Sequence, residues 1–165
     1  GQDIDGEAAS NFSGASVSLS SDGKTLAIGA PLNDGNGNFA GHVRVYHMEE
    51  DGLSWKQLGQ DIDGEAASNF SGASVSLSSD GKTLAIGAPL NDGNGNFAGH
   101  VRVYHMEGTG LSWKQLGQDI DGEAAGDQSG GSVSLSSDGK TLAIGAPYND
   151  GNGDDAGHVR VYHME

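Results

Sequence analysis

Gly1-Gln2-Asp3-Ile4-Asp5-Gly6 returns at Gly59 and again at Gly117, so the chain is built on a period of 58 residues. Copies one and two (1–58 and 59–116) differ only at Glu50/Gly108 and Asp51/Thr109. The third copy (117–165) departs from the first at seven positions. Recent duplication and deliberate construction both produce identity of this order. A unit this short cannot bury two apolar faces by itself, and stacking it on copies of itself solves that. The fold must therefore be one in which a unit's front face matches its own back face.

Within a copy the apolar residues alternate over short runs, as strands require. Four strands are predicted: Ala15–Ser20, Thr25–Gly29, His42–Met48 and Leu53–Leu58. The second carries Leu26 and Ile28 on one face and small Ala27 and Gly29 on the other. Ser21-Asp22-Gly23 is a tight turn in which glycine supplies the positive φ. No helical period persists beyond a turn or two. The predicted fold is all-β, with propeller-like blades of four antiparallel strands and three blades per chain (1–58, 59–116 and 117–165), the last lacking its final strand.

Charge excludes some partners. With 23 acidic against 8 basic residues the net charge is −15, which repels phosphate backbones, so no nucleic acid is expected. No stretch is apolar enough for membrane insertion. There is no cysteine, hence neither a disulfide framework nor a thiolate metal site. No signal peptide is visible in this chain.

Gly14-Ala15-Ser16-Val17, Leu26-Ala27-Ile28-Gly29-Ala30-Pro31 and Gly41-His42-Val43-Arg44-Val45-Tyr46 recur in every copy. Together they resemble the FG-GAP repeat of the integrin α-subunit propeller. The Gly-Ala-Pro at 29–31, 87–89 and 145–147 is the most specific part. Two features depart from the pattern. Phe12-Ser13-Gly14 displaces the aromatic by one place, and the first hairpin, Ser20-Ser21-Asp22-Gly23-Lys24, lacks the Asp-rich calcium loop of integrin-type repeats. The resemblance implies a propeller and extracellular or cell-surface recognition.

Three sets of residues invite chemistry. Asp34, Asn36 and Asn38, with Asp92, Asn94 and Asn96 and with Asp150, Asn152 and Asp154, place oxygen ligands at alternate loop positions, like the first half of a calcium loop. The same residues also build turns through side-chain-to-backbone bonds. Asp3-Ile4-Asp5-Gly6-Glu7 reads as a solvated acidic link between blades, or as carboxylates gathered near the propeller axis. His42 and His47 lie five apart on one strand and so face opposite sides, with packing between blades as the default role.

Near-identical copies spread any reactive group evenly, whereas active sites converge unlike residues. The expectation is therefore no enzyme. The reading is a non-enzymatic scaffold for extracellular adhesion, surface structure or self-assembly. It pairs with itself as a homodimeric ring or a filament and takes calcium as its only cofactor. A lectin-like or calcium-dependent receptor module that binds a protein or glycan ligand is the alternative, and an engineered symmetric repeat is another. Far-ultraviolet circular dichroism should show strand and turn without helix; a helical minimum would refute the all-β assignment.

Overall fold

The computed structural model describes residues 1–109 and 112–165. The described residues form strands and turns and no helix. The first sheet runs β1 (Ser16–Leu19), β2 (Thr25–Ala30), β3 (His42–Met48) and β4 (Trp55–Gln57), and β5 (Ile62–Asp63) pairs beside β4 on the same side of β3. The second repeats it with β6 (Ser74–Leu77), β7 (Thr83–Ala88), β8 (His100–Glu107), β9 (Ser112–Gln115) and β10 (Ile120–Asp121). The third has β11 (Ser132–Leu135), β12 (Thr141–Ala146) and β13 (His158–His163). All pairings between these strands are antiparallel.

The first hairpin is fixed by its turn. Ser20 Oγ donates to Asp22 Oδ1 at 2.6 Å, the same oxygen accepts from the Lys24 amide at 2.9 Å, and Gly23 takes φ 71°. These bonds, the Ser20 hydroxyl first, hold the Asp22 carboxyl below its ordinary pKa. The resulting register sets Val17 opposite Ile28 and Leu19 opposite Leu26, while Ala27 faces Val45 and Gly29 faces Val43. Each sheet thus has one face of branched residues from its first two strands. The other face combines small residues of the second strand with the valines of the third.

Unlike faces of successive sheets meet. Ala27, Val43 and Val45 pack against Val75, Leu77, Leu84 and Ile86 of the second sheet. Ala85, Val101 and Val103 pack in the same way against Leu142 and Ile144 of the third. Hydrogen bonds bind the same joints: Ser16 Oγ donates to the Gly72 carbonyl at 2.7 Å, and Ser18 Oγ accepts from the Leu77 amide at 2.9 Å. Ser74 and Ser76 repeat both bonds to Gly130 and Leu135. The blades of the propeller are these sheets.

The strand over His42–Met48 coincides with its prediction, and the fourth strand contracts to Trp55–Gln57. The short β5 was expected as linker. Ile62 earns its pairing by entering the core opposite Val43, at 4% exposure. The first sheet therefore takes residues from beyond residue 58.

The joints depend on bare glycine at one place. A Cβ on Gly87 would overlap the carbonyl oxygen of Gly130 in the next repeat, as one on Gly29 would overlap that of Gly72. On Gly145, the same position in the third sheet, it would meet only the hydroxyl of Ser132, which can rotate. Gly87→Ala should cost about 3 kcal/mol in chemical denaturation, and Gly145→Ala under about 1 kcal/mol. Equal costs would show that joint contact is not what requires glycine.

Candidate metal centre

β3 opens with His42 and points His42, Arg44 and Tyr46 away from the Val43–Val45 face. Pairing of β5 then decides where the acidic link goes. Ile62 turns into the core opposite Val43, so Asp63, opposite His42, and Asp61 turn to the imidazole side. Glu65, two residues on, has crossed to the next blade and lies against His100. The Asp-Ile-Asp-Gly-Glu motifs at 61–65 and 119–123 are thus divided, with two aspartates for one blade and the glutamate for the next.

The consequence is a repeated cluster of unlike groups. His42 Nδ1 lies 3.9 Å from Glu7 Oε2, 4.0 Å from Asp61 Oδ2 and 3.8 Å from Asp63 Oδ1. His100 Nδ1 lies 3.8 Å from Glu65 Oε2, 3.6 Å from Asp119 Oδ2 and 4.0 Å from Asp121 Oδ1. Both imidazoles are buried, at 2% and 3% exposure, beneath carboxylates open to solvent. In the third blade His158 meets Glu123 at 3.7 Å, with Asp127 alongside, and the aspartate pair has no counterpart among the described residues.

Surrounding bonds aim the carboxylates. Gln115 and the Arg102 Nε both donate to Asp119 Oδ1, at 2.7 and 2.9 Å, and Arg102 Nη2 donates at 3.2 Å to Oδ2, the oxygen that lies 3.6 Å from His100. Arg102 also contacts Glu65 Oε1, while Oε2 faces His100 and accepts from Asn91 at 3.3 Å. In the first blade Gln57 orients Asp61 at 2.6 Å, and Arg44 lies 3.7 Å from Glu7. Such outer partners are what hold metal ligands in place.

Burial pushes the His100 pKa down against the pull of Asp119 and Asp121, and it does the same to His42 against Glu7 and its aspartates. Both rings are therefore neutral, as ligands must be. Burial raises Asp63, with the Asp61 and Glu7 charges adding. Burial also pushes Asp119 up, but hydrogen bonds from Gln115 and Arg102 and the Arg102 charge outweigh it and hold its pKa low.

This geometry fits a divalent cation. His100 Nδ1 is buried with no hydrogen-bond partner, and its neighbours at 3.6–4.0 Å are beyond hydrogen-bond reach. Ligands about 2.0–2.5 Å from one ion stand roughly 3–4.5 Å apart. One ligand atom each from Glu65, His100 and Asp119 lie within 4.8 Å of one another, as do those of Glu7, His42 and Asp61 and of Glu123, Asp127 and His158.

The loop residues singled out from sequence make turn and inter-repeat contacts. Asp34, Asp92 and Asp150 each accept a backbone amide five residues on, at 2.8 Å. Asn36 and Asn94 donate to the Gly64 and Gly122 carbonyls of the following repeat at 2.8 Å. The Asn38 and Asn96 carbonyls accept from Ser68 and Gly126. Asn152 and Asp154 are exposed. The His–carboxylate clusters went unread because their parts lie in different copies. Their one sequence signal is that His42 and the acidic motif share the same period.

Residues 120–162 match the FG-GAP repeat family. No curated protein matches the chain. Among solved structures, the chain is similar to a periplasmic gluconolactonase of Pseudomonas aeruginosa (20% identity, TM-score 0.59), over 91% of this chain and 39% of that one. It is similar also to a candidate 6-phosphogluconolactonase of Bacteroides uniformis (19% identity, TM-score 0.52, 90% of this chain and 40% of that one). A third is hydrazine synthase of Kuenenia stuttgartiensis (16% identity, TM-score 0.53, 90% and 44%). The chain thus spans well under half the length of each. At these identities the likeness establishes the fold, a β-propeller.

These neighbours overturn the expectation of a non-enzymatic scaffold for adhesion, together with its ligand-binding alternative. The argument from uniform copies fails for a physical reason. A motif divided between neighbouring blades brings Glu, His, Asp and Arg together even when every copy is the same.

The pH dependence of stability follows from the two buried imidazoles. Their folded pKa values lie below the unfolded 6.5, so the unfolded chain takes up protons first as pH falls. Stability should be full above about pH 6.5 and fall below it, by at most about 1.4 kcal/mol per pH unit for each proton. Denaturation in chelator should show this slope, and H42Q/H100Q should flatten it. A stability that rises on acidification would mean that carboxylate attraction, not burial, governs these rings.

Proposed function

We propose that the chain contributes blades to a propeller hydrolase that opens sugar lactones, with a divalent cation held by Glu65, His100 and Asp119 and by the matching Glu7, His42 and Asp61. The observation that carries this reading is the buried, unpartnered His100 Nδ1 aimed at carboxylate oxygens at metal-ligand spacing. The substrate class comes from the gluconolactonase fold neighbours.

A bound cation supplies Lewis acidity toward a carbonyl and a lowered pKa for bound water. The rest falls to the chain. Burial keeps His100 neutral and its nitrogen available. Gln115 and Arg102 hold Asp119 ionised and oriented. Asp121 and its equivalent Asp63 stand at the open rim, at 45% side-chain exposure, where they can take a proton from water and return it to the ring oxygen. Water adds at the acyl carbon, the ring C–O bond breaks, and the product is a hydroxy acid. With one nitrogen beside carboxylate oxygens, the set suits manganese or zinc as well as calcium.

Titration calorimetry with Mn²⁺, Zn²⁺ and Ca²⁺ should show binding that H42Q/H100Q weakens at least tenfold. Opening of glucono-δ-lactone, followed by pH-stat above the spontaneous rate, should need the cation and fall with D121N. Absence of divalent binding would sink the site. Binding without lactone opening would remove the substrate class.

A further inference from the structure

Three of the seven changes in the third copy fall in one run. Ser10-Asn11-Phe12 and the identical Ser68-Asn69-Phe70 become Gly126-Asp127-Gln128. The backbone keeps its course: the Gln128 amide donates to the Phe97 carbonyl at 3.0 Å, as the Phe70 amide does to that of Phe39 at 3.1 Å. Gln128 and Phe70 both take positive φ, 52° and 57°. Only the chemistry differs. Phe39 packs on Phe70 at the first joint, whereas Phe97 has glutamine in place of that ring, and next to it a carboxylate replaces an amide.

That carboxylate is buried without a counter-charge. Asp127 is 3% exposed, and its donors are neutral: the Asn149 side-chain amide at 2.9 Å and the Ala124 N–H at 3.2 Å, both to Oδ2. Arg160, the guanidinium of the same blade, is engaged elsewhere, on the Asp121 carbonyl and, at 3.5 Å, on Glu123 Oε1. Among the described residues Asp127 forms no ion pair. A carboxylate so placed lowers stability unless a cation meets it. Other ligands converge on it. His158 Nδ1 lies 3.7 Å from Glu123 Oε2, beyond hydrogen-bond reach, and His158 Nε2 is buried with no partner. One ligand atom each from Glu123, Asp127 and His158 lie within 4.8 Å of one another.

We propose that Glu123, Asp127 and His158 bind a divalent cation of their own, a structural ion that fastens the 123–127 link to β13 where the aromatic contact of the first joint is absent. Glu123 and Asp127 lie on the link that enters the third blade, and His158 opens β13, so one ion ties link to strand. The ion also meets the Asp127 charge that no side chain meets. Asn149 and Arg160 act as its outer partners, one on Asp127 and the other on Glu123. A ring nitrogen beside two carboxylates suits manganese or zinc better than magnesium. This ion has a structural task and does not rest on the hydrolase reading, whose two cations lie in the other blades.

The chain supplies the control for the variant that matters. Asn11 and Asn69 hold the same position and accept from Asn33 and Asn91 at 3.0 Å, so D127N keeps the fold. Mn²⁺ is the probe, with free and bound ion counted by electron paramagnetic resonance. H42Q/H100Q, which disables the two sites of the hydrolase reading, should still bind one ion per chain. Its electron spin echo should carry an imidazole-nitrogen modulation that H158Q abolishes. Adding D127N should weaken that ion at least tenfold, and D127N alone should bind one ion fewer than the unaltered chain. In chelator D127N should melt about 2–4 °C above the unaltered chain, because a buried charge is gone, and in Mn²⁺ the order should reverse. A folded H42Q/H100Q that binds no Mn²⁺, D127N that binds as the unaltered chain does, or a melting order that Mn²⁺ leaves unchanged would each overturn the proposal. A single ion held alike by the unaltered chain and H42Q/H100Q, and lost in D127N, would remove the other two sites and uphold this one.

Discussion

Blade-on-blade contact at bare glycine is the constraint from which the rest of the structure follows. At Gly29 and Gly87 the backbone of the following repeat sits where a side chain would be. That approach lets Ser16 and Ser74 reach carbonyls of the next blade and lets Leu84 and Leu142 become fully buried. A β-sheet of this size has little core of its own. Its valine face is stable only when another sheet's branched face covers it, so stability resides in the joints.

The same joints create the chemistry. The link between blades must pair with the sheet it leaves and then reach the sheet it enters. A five-residue acidic motif laid along that path necessarily gives its first carboxylates to one blade and its last to the next. Repetition, which distributes identical residues evenly, thereby yields clusters of unlike residues at each joint. Burial beneath them keeps His42 and His100 neutral. The charge balance at the second cluster, three carboxylates against Arg102, remains negative and favours a cation.

The substitutions that set the third copy apart follow the same logic. Phe39 packs on Phe70 across the first joint, whereas Gln128 replaces that partner for Phe97 at the second, and Asp155 takes the place of Phe39 in the third blade. Asn11 becomes Asp127, which accepts from Asn149 at 2.9 Å and joins the His158 cluster. No feature of the structure explains Leu32 becoming Tyr148.

The strands and the sorting of residues onto two faces were legible in the sequence, because period-two alternation and Ser-Asp-Gly turns act over a few residues. The His42–Met48 strand and the complementary faces around Leu26, Ala27, Ile28 and Gly29 are local consequences of this kind. The short strand at Ile62–Asp63 was not legible, since two residues carry no period. With it the site was hidden too. His100 meets Glu65 from 35 positions earlier and Asp119 from 19 later, and only the pairing of Ile120 with Val101 decides which carboxylates turn toward the ring. The loop oxygens of Asp34 and Asn36 could be read both ways, because Asn, Asp and Gly serve turns and cations alike and spacing cannot separate the two uses. Local periodicity determined the sheets, whereas tertiary pairing across copies decided where charge collects.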